Sequence, residues 1–325
     1  MKIKIFITGT SGFIGFHTAK KFLDKGFSVK GFDSMNNYYD VRLKKARLSI
    51  LKKYKKFTFT KSNLENKNKL SKSILNFRPK IIIHLAAQAG VRYSINNPEI
   101  YLKSNIEGTF NVIEIAKKIN VKHLIIGSSS SVYGSNKKIP FKEIDKADHQ
   151  ISFYAATKKS TESLAHAYSS LWKLPITMLR FFTVYGPWGR PDMAYFKFTK
   201  NILNKKKIDI NNKGKMYRDY TYIDDIVDGI YKLLNKSPSL KLKKKHRNDS
   251  LSPVAPYRIL NIGNTKKIYL MDFINSFEKK INRKIKKNFM PMQKGDVHST
   301  LSDSSLLKRV TGYNPKTNYK TGVKK

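Results

Sequence analysis

Lys2-Ile-Lys-Ile-Phe-Ile-Thr-Gly9-Thr-Ser-Gly12-Phe-Ile-Gly15 stands near the start of the chain, and its reading decides the fold. Ile3, Ile5, Phe6 and Ile7 make a short apolar run, which predicts a buried strand over residues 2–8. The glycine turn follows directly, and then a helical pattern through Ala19, Phe22 and Leu23 that stops at Gly26. A second strand, predicted over residues 27–32, ends in Asp33. Strand, glycine turn, helix, strand and acid in this order are the layout of a dinucleotide site. Glycines let the backbone approach a pyrophosphate at a helix N-terminus, where unpaired N–H groups and the dipole favour an anion. Asp33 is placed to accept hydrogen bonds from the adenosine ribose hydroxyls, which selects NAD over its 2′-phosphorylated relative. The spacing is Gly-x-x-Gly-x-x-Gly rather than Gly-x-Gly-x-x-Gly, so the flanking strands and Asp33 carry the assignment.

Further apolar runs at residues 80–85, 121–127 and 174–182 read as strands, with a long helical pattern over residues 99–119. Ile106, Phe110, Ile113 and Ile115 lie in that pattern at near-helical spacing and read as core or interface. This alternation predicts an α/β fold, a Rossmann-type doubly wound parallel sheet with ligands at the carboxyl ends of its strands. Beyond Thr183 the pattern loosens around Gly186, Pro187, Gly189 and Pro191, which predicts a smaller C-terminal substrate-binding lobe. Residues 224–234 read as a helix and residues 260–262 as a short strand returning to the sheet. The expected division gives residues 1–182 and 221–263 to an NAD-binding Rossmann domain, and residues 183–220 and 264–325 to the substrate lobe. Residues 236–256, rich in Lys, Ser and Pro, are expected to form a mobile loop.

Ser152-Phe-Tyr-Ala-Ala-Thr-Lys-Lys159 carries the candidate chemistry. On a helix, Tyr154 and Lys158 are four residues apart and share a face. A free phenol has a pKa near ~10 and is a poor base at neutral pH. Bringing it to about 7 takes ~4 kcal/mol of preference for the phenolate, which a cation at ~4 Å supplies at an effective dielectric of ~20. The expectation is therefore that Lys158 makes Tyr154 a general acid/base.

Composition narrows the class. The chain has no cysteine, which removes disulfides, thiolate zinc sites and thiol nucleophiles and fits a reducing compartment. Its seven histidines are dispersed without metal-ligand spacing, so no metal is expected, and His84 reads as closing a strand. The first apolar run breaks at Gly9, too early for a signal sequence, and nothing approaches a membrane span; a cytoplasmic protein with no membrane partner is expected. The net charge is +43, from 54 Lys and 11 Arg against 22 acids. The lysines are scattered and no nucleic-acid-binding motif accompanies them. A lysine-biased surface is the reading, with no nucleic-acid partner. Trp172 and Trp188 read as packing residues, and the aspartates of residues 218–225 as helix capping and an arginine partner.

Taken together, the motifs resemble a known family. Gly9-x-x-Gly12-x-x-Gly15, His84-Leu-Ala-Ala87, Ser128-Ser-Ser-Ser-Val-Tyr-Gly134, Tyr154-x-x-x-Lys158, Arg180-Phe-Phe-Thr-Val-Tyr-Gly-Pro187 and Arg218-Asp-Tyr-Thr-Tyr-Ile-Asp-Asp225 look like an extended short-chain dehydrogenase/reductase. Within that family the chain resembles UDP-glucuronate 4-epimerases most. The stretches that carry this are Asn37-Tyr-Tyr-Asp-Val-Arg-Leu-Lys-Lys-Ala-Arg-Leu48, Ala87-Gln-Ala-Gly-Val-Arg-Tyr-Ser94 and Tyr185-Gly-Pro-Trp-Gly-Arg-Pro-Asp-Met-Ala194. The resemblance implies that Gly9, Gly12, Phe13, Ile14 and Gly15 hold the pyrophosphate of NAD, and that Asp33 and Asn36 hold the adenosine ribose. Asn63 and Leu64 would flank the adenine, with Ala86, Ala87 and Gln88 along the cofactor. Ser129, Tyr154 and Lys158 match the catalytic positions, with the lysine on the nicotinamide ribose. Arg92, Thr183, Arg190 and Arg218 match substrate positions, and Ser130 and Ser131 would add donors for the glucuronate carboxylate.

The implied reaction is NAD-dependent 4-epimerisation of UDP-glucuronate to UDP-galacturonate through a transient 4-keto sugar, by a homodimer. The alternatives are a 4-epimerase for another UDP-sugar, of the UDP-glucose or UDP-N-acetylglucosamine type, and a protein that binds the dinucleotide without turnover. Dehydratases of the family place Asp-Glu where this chain has Ser130 and Ser131, and decarboxylating relatives carry a Glu there. Departures from the pattern are Asn63 for an Asp, Gln150 and Lys294 for prolines in loops, and an ending at Lys325 where relatives usually continue with a short aromatic-rich helix.

Overall fold

The computed structural model describes residues 3–242 and 246–325; Lys2 of the predicted first strand, and residues 243–245 of the expected mobile loop, lie outside the described residues. Six strands follow one another in the first part of the chain: β1 (Lys4–Thr8), β2 (Ser28–Asp33), β3 (Phe57–Lys61), β4 (Ile81–His84), β5 (His123–Ser129) and β6 (Ile176–Phe181). Between and after them run helices α1 (Phe13–Asp24), α2 (Val41–Lys52), α3 (Lys67–Phe77), α4 (Tyr93–Asn96), α5 (Pro98–Tyr101), α6 (Gly108–Lys118) and α7 (Phe153–Trp172). The later part contributes β7 (Thr183–Tyr185), β8 (Ile208–Ile210), β9 (Tyr217–Tyr222), β10 (Tyr257–Ile262), β11 (Lys267–Tyr269) and β12 (Lys287–Phe289). Its helices are α8 (Ala194–Leu203), α9 (Ile223–Lys232), α10 (Leu270–Ile281), α11 (Ser305–Thr311) and α12 (Tyr319–Lys324).

The main sheet has seven parallel strands in the order β10-β6-β5-β4-β1-β2-β3. Chain order reverses direction at the β1/β4 boundary, the switch point where such sheets open a crevice. Alternation along each strand feeds two cores. Ile5, Ile7, Ile81, Ile83 and Ile125 pack on one face, while Phe6, Ile82, Leu124 and Ile126 pack on the other. A sheet buried on both faces explains why its strands are nearly unbroken apolar runs. β10 is longer than the three-residue strand expected, because Tyr257, Arg258 and Ile259 also pair with β6.

The 99–119 pattern does not form one helix. Between α5 and α6 the backbone widens into a π-helical segment, Leu102–Glu107. That segment turns Asn105 inward, where its Oδ1 accepts from the Gln88 N–H (2.8 Å) and its amide donates to the Gln88 carbonyl (3.0 Å) and the Thr157 hydroxyl (3.0 Å). Ile113 and Ile115 are core, whereas Phe110 is exposed. Ser152 caps α7, its Oγ accepting from the Ala155 N–H at 3.1 Å. Small residues on the buried face of α7, Ala155, Ala165 and Ser169, let the helix lie close to the sheet.

The C-terminal elements form two small sheets, β11-β9-β7 and β12-β8. An aromatic stack joins the first of them to α10, with the Tyr220 and Phe273 rings 3.8 Å apart and nearly parallel. Asp219 neither caps a helix nor pairs with Arg218. Its buried carboxylate accepts from the N–H groups of Asn264 (2.7 Å), Thr265 (3.0 Å) and Ser302 (3.1 Å), fastening β9 to two distant turns. Trp172 and Trp188 are 48% and 39% exposed, so neither is a core residue; Trp172 lies on Tyr168 under the Lys117 ammonium. Among the described lysines only Lys44 and Lys158 are buried, which leaves the excess charge on the surface.

Glu143 is buried and accepts a hydrogen bond from the Asn261 N–H at 2.9 Å, without a salt-bridge partner among the described residues. Burial pushes its pKa up to about 7. The folded state therefore holds a proton that the unfolded chain loses near ~4.4, and stability falls as pH rises between those values. Glu143→Gln keeps an acceptor without the charge. Thermal unfolding of the variant should lose the decline that the parent shows between about pH 5 and 7.5, worth up to ~3 kcal/mol at ~1.4 kcal/mol per unit.

Candidate active site

A cleft of about 950 Å³ runs along the carboxyl ends of the sheet strands and under the small sheets. Every residue singled out from the sequence lines it: the glycine turn with Phe13 and Ile14, Asp33 and Asn36, Asn63 and Leu64, Ala86 to Gln88, Arg92, Ser129 to Ser131, Tyr154, Lys158, Thr183, Arg190 and Arg218. The sheet explains the gathering, since these positions follow β1, β2, β3, β4, β5 and β6 in turn.

The glycine turn is a cradle that side chains would fill. Gly9 has φ +78°, and a Cβ there would sit 2.8 Å from the Ala86 nitrogen. A Cβ on Gly15 would overlap the Gly9 carbonyl. Gly12 caps α1 with no side-chain acceptor, and the first turn carries no acid, so its N–H groups and dipole face the cleft unopposed. The buried Ser11 hydroxyl in this turn has no partner among the described residues. Asp33 is 8% exposed and accepts from the N–H groups of Ser11 (2.9 Å) and Met35 (2.8 Å), which leaves lone pairs on both oxygens. Burial pushes its pKa up against those bonds. Open donors at a helix end, a buried carboxylate one strand away and a long cleft fit NAD. The Asn36 Oδ1 accepts from Lys44 Nζ at 2.6 Å, which leaves its amide N–H groups to donate.

Tyr154, Lys158 and Ser129 meet where α7 crosses the end of β5. Their electrostatics differ from the expectation. The Lys158 ammonium donates to the Gly127 carbonyl at 2.7 Å, and burial pushes its pKa down to about 8 against the favourable charge of Glu162. Burial pushes the Tyr154 phenol up, opposed by its hydrogen bond with Ser129 and then by the Arg190 charge. Shared helical spacing brings the two side chains to one face; the buried ammonium takes the Gly127 carbonyl, and Ser129 and Arg190 favour the phenolate. Ser129 also accepts from the Ser131 N–H at 3.2 Å, so one hydroxyl both caps the turn after β5 and faces the cleft.

On the opposite wall, Arg190 forms a two-pronged ion pair with Asp192, and Arg218 pairs with Asp296 at 2.7 Å. Thr183 starts β7, and Arg92 stands exposed at the start of α4. Sequence reasoning passed over Asp192, Asp296, Asn105 and Glu162. The first two sit in stretches without periodicity and meet arginines two and 78 residues away. Glu162 lies one turn beyond Lys158 on the buried face of α7, a charged residue at a core position and hence a signal that was available. A lysine held near pKa 8 loses its proton as pH rises through that value. The kcat–pH profile should show an alkaline limb that Lys158→Arg abolishes, since a guanidinium stays charged, while lowering the plateau.

Comparison with known proteins places this geometry. Residues 6–325 match the family described as GDP-mannose 4,6 dehydratase. The chain is 50% identical to Protein CapI of Staphylococcus aureus, over 99% of this chain and 97% of that one. It is 48% identical to a probable UDP-glucuronate 4-epimerase of Rhizobium meliloti, over 99% and 95% of the two chains. In structure it is similar to the UDP-glucuronic acid 4-epimerase of Bacillus cereus solved with UDP-glucuronic acid and NAD, with a TM-score of 0.87, 32% identity and coverage of 99% and 96%. The chain belongs to the NAD-dependent epimerase/dehydratase family of extended short-chain dehydrogenases/reductases, and groups within it with the UDP-glucuronate 4-epimerases.

Proposed function

We propose that this protein interconverts UDP-glucuronate and UDP-galacturonate, oxidising C4 of the sugar and reducing it again from the other face. The convergence of Tyr154, Ser129 and Lys158 on one cleft with the glycine turn carries the reading. When bound, NAD would supply the hydride acceptor and, once reduced, the hydride donor. Gly9, Gly12, Phe13, Ile14 and Gly15 would hold its pyrophosphate, with Asp33 on the adenosine ribose and Lys158 on the nicotinamide ribose. Tyr154 takes the proton of the 4-hydroxyl and later returns one to the same oxygen. Ser129 hydrogen-bonds that oxygen and, with the Arg190 charge, favours the phenolate that burial opposes.

Between the two steps the 4-keto sugar must turn over without leaving. That calls for a firm hold on the diphosphate and few bonds to the ring. Arg218 suits the first task as a planar fork kept in place by Asp296. Ser130, Ser131 and Thr183 are donors for the sugar carboxylate. The same serines argue against dehydration and decarboxylation, because neither hydroxyl is an acid or base fit to expel the 6-substituent. In this reading residues 1–182 and 221–263 bind the cofactor, and residues 183–220 and 264–325 bind the substrate. The protein acts in the cytoplasm as a homodimer, for which the exposed Leu102 and Phe110 near α6, and Leu171 and Trp172 on α7, supply an apolar face.

NMR of UDP-glucuronate incubated with the purified protein and no added cofactor should reveal UDP-galacturonate. Tyr154→Phe should lower kcat by ~10²–10⁴-fold with NAD still bound; undiminished inversion would end the assignment. UDP-glucose should be a far poorer substrate, because it leaves the carboxylate donors unpaired. The double variant Ser130→Ala, Ser131→Ala should narrow that gap in kcat/KM, and equal rates on both sugars in the parent would refute the specificity.

A further inference from the structure

Arg47, in the middle of α2, has no exposed surface, and every hydrogen bond it makes among the described residues ends on a neutral oxygen. One amino group donates to the Ser11 carbonyl in the glycine turn (2.9 Å) and to the Tyr39 phenol (2.7 Å). The other donates to the carbonyls of Trp188 and Gly189, the latter at 3.1 Å. Its Nε has no partner among the described residues. A buried guanidinium without a carboxylate is a costly way to join four oxygens. Its planar fork, though, fixes the two backbone segments relative to each other. Further contacts cross the same seam. His17 on α1 bonds the Pro187 carbonyl at 3.0 Å, Phe16 meets Trp188 edge-on, and the Tyr38 phenol donates to Asp192 at 3.2 Å. Trp188 is held at φ +59°, which a bulky residue keeps only under such restraint.

The segment 187–192 is the one that presents Arg190 and Asp192 to the cleft. We propose that Arg47 is a positioning residue that couples cofactor occupancy to the substrate loop, by binding the Ser11 carbonyl and the Trp188 and Gly189 carbonyls in one guanidinium. An anion on the glycine turn fixes Ser11, and it brings further negative charge toward a buried cation that the Asp33 carboxylate reaches only through space. Fixing Ser11 fixes the loop, so NAD favours the diphosphate of the sugar nucleotide, and by linkage the sugar nucleotide favours NAD to the same degree. The inference rests on the assignment of the two halves of the cleft to NAD and to a UDP-sugar.

Calorimetric titration of UDP into NAD-loaded and NAD-stripped protein measures the coupling. In the parent, NAD should tighten UDP about tenfold or more. Arg47→Lys lacks the fork and should bring that ratio below about threefold, with an unchanged circular dichroism spectrum and with each ligand still binding alone. His17→Ala, which removes one bond of the same seam, should reduce the ratio partway, and it decides the matter by the same criterion if the Arg47 variant does not fold. A ratio equal in parent and variants, or a parent ratio of one, overturns the coupling while leaving the functional assignment intact. A parent that binds neither NAD nor UDP overturns the assignment and the coupling with it.

Discussion

One carboxylate in the seam between α7 and the sheet sets the register on which the site depends. Glu162 accepts from Arg180 Nε at 2.9 Å and from its terminal nitrogen at 2.8 Å, and from the Ser128 hydroxyl at 2.7 Å. Arg180 and Glu162 are both nearly inaccessible, so the pair carries a desolvation cost that only complete hydrogen bonding offsets. An apolar face of small residues would allow α7 to slide by a fraction of a turn. Directed bonds to β5 and β6 do not. One turn earlier, Lys158 binds the Gly127 carbonyl, and one turn before that, Tyr154 reaches the level of Ser129. The placement of Tyr154, Lys158 and Ser129 is thus inherited from a buried ion pair that does not line the cleft.

The same pair extends beyond the sheet. The Arg180 guanidinium lies 4.7 Å from the centre of the Tyr133 ring, whose phenol donates to Asn261 Oδ1 at 2.7 Å. Asn261 in turn donates from its backbone to Glu143 and from its amide to the Phe141 and Asp303 carbonyls. β10 and the C-terminal segment are therefore bonded, through one polar chain, to the helix that carries Tyr154. Charges buried in such a chain resist single losses poorly, because each removal leaves a partner unsatisfied.

What was legible in the sequence follows from range. Buried parallel strands read as apolar runs because both faces are covered, and the chemistry-bearing residues stand at their carboxyl ends, so strand prediction and site prediction were one act. The Tyr154–Lys158 spacing is likewise local. The π-helical segment at Leu102–Glu107 was not legible, because Asn105 turns inward to satisfy the backbone of Gln88 and the hydroxyl of Thr157, both remote in sequence. β7, β8, β11 and β12 are three residues each, too short for any period. The bond from Lys158 to the Gly127 carbonyl was not legible for a different reason: spacing fixes which face a side chain shares, while burial decides which acceptor it takes.

The charge distribution completes the physical picture. The chain carries +43, yet the cations of the substrate wall are neutralised in place, Arg190 by Asp192 and Arg218 by Asp296. Surface lysines make a long-range field that draws anions, screened within ~8 Å at physiological salt, and they hold nothing in a fixed position. In the proposed reading the paired arginines act only at contact, where their carboxylates would keep the forks oriented and also limit how strongly a diphosphate is held. An enzyme that must keep a nucleotide through two half-reactions and then release it gains from that balance. Free arginines at both positions would bind the diphosphate more tightly in every state of the reaction equally, which lowers KM without helping the chemical step.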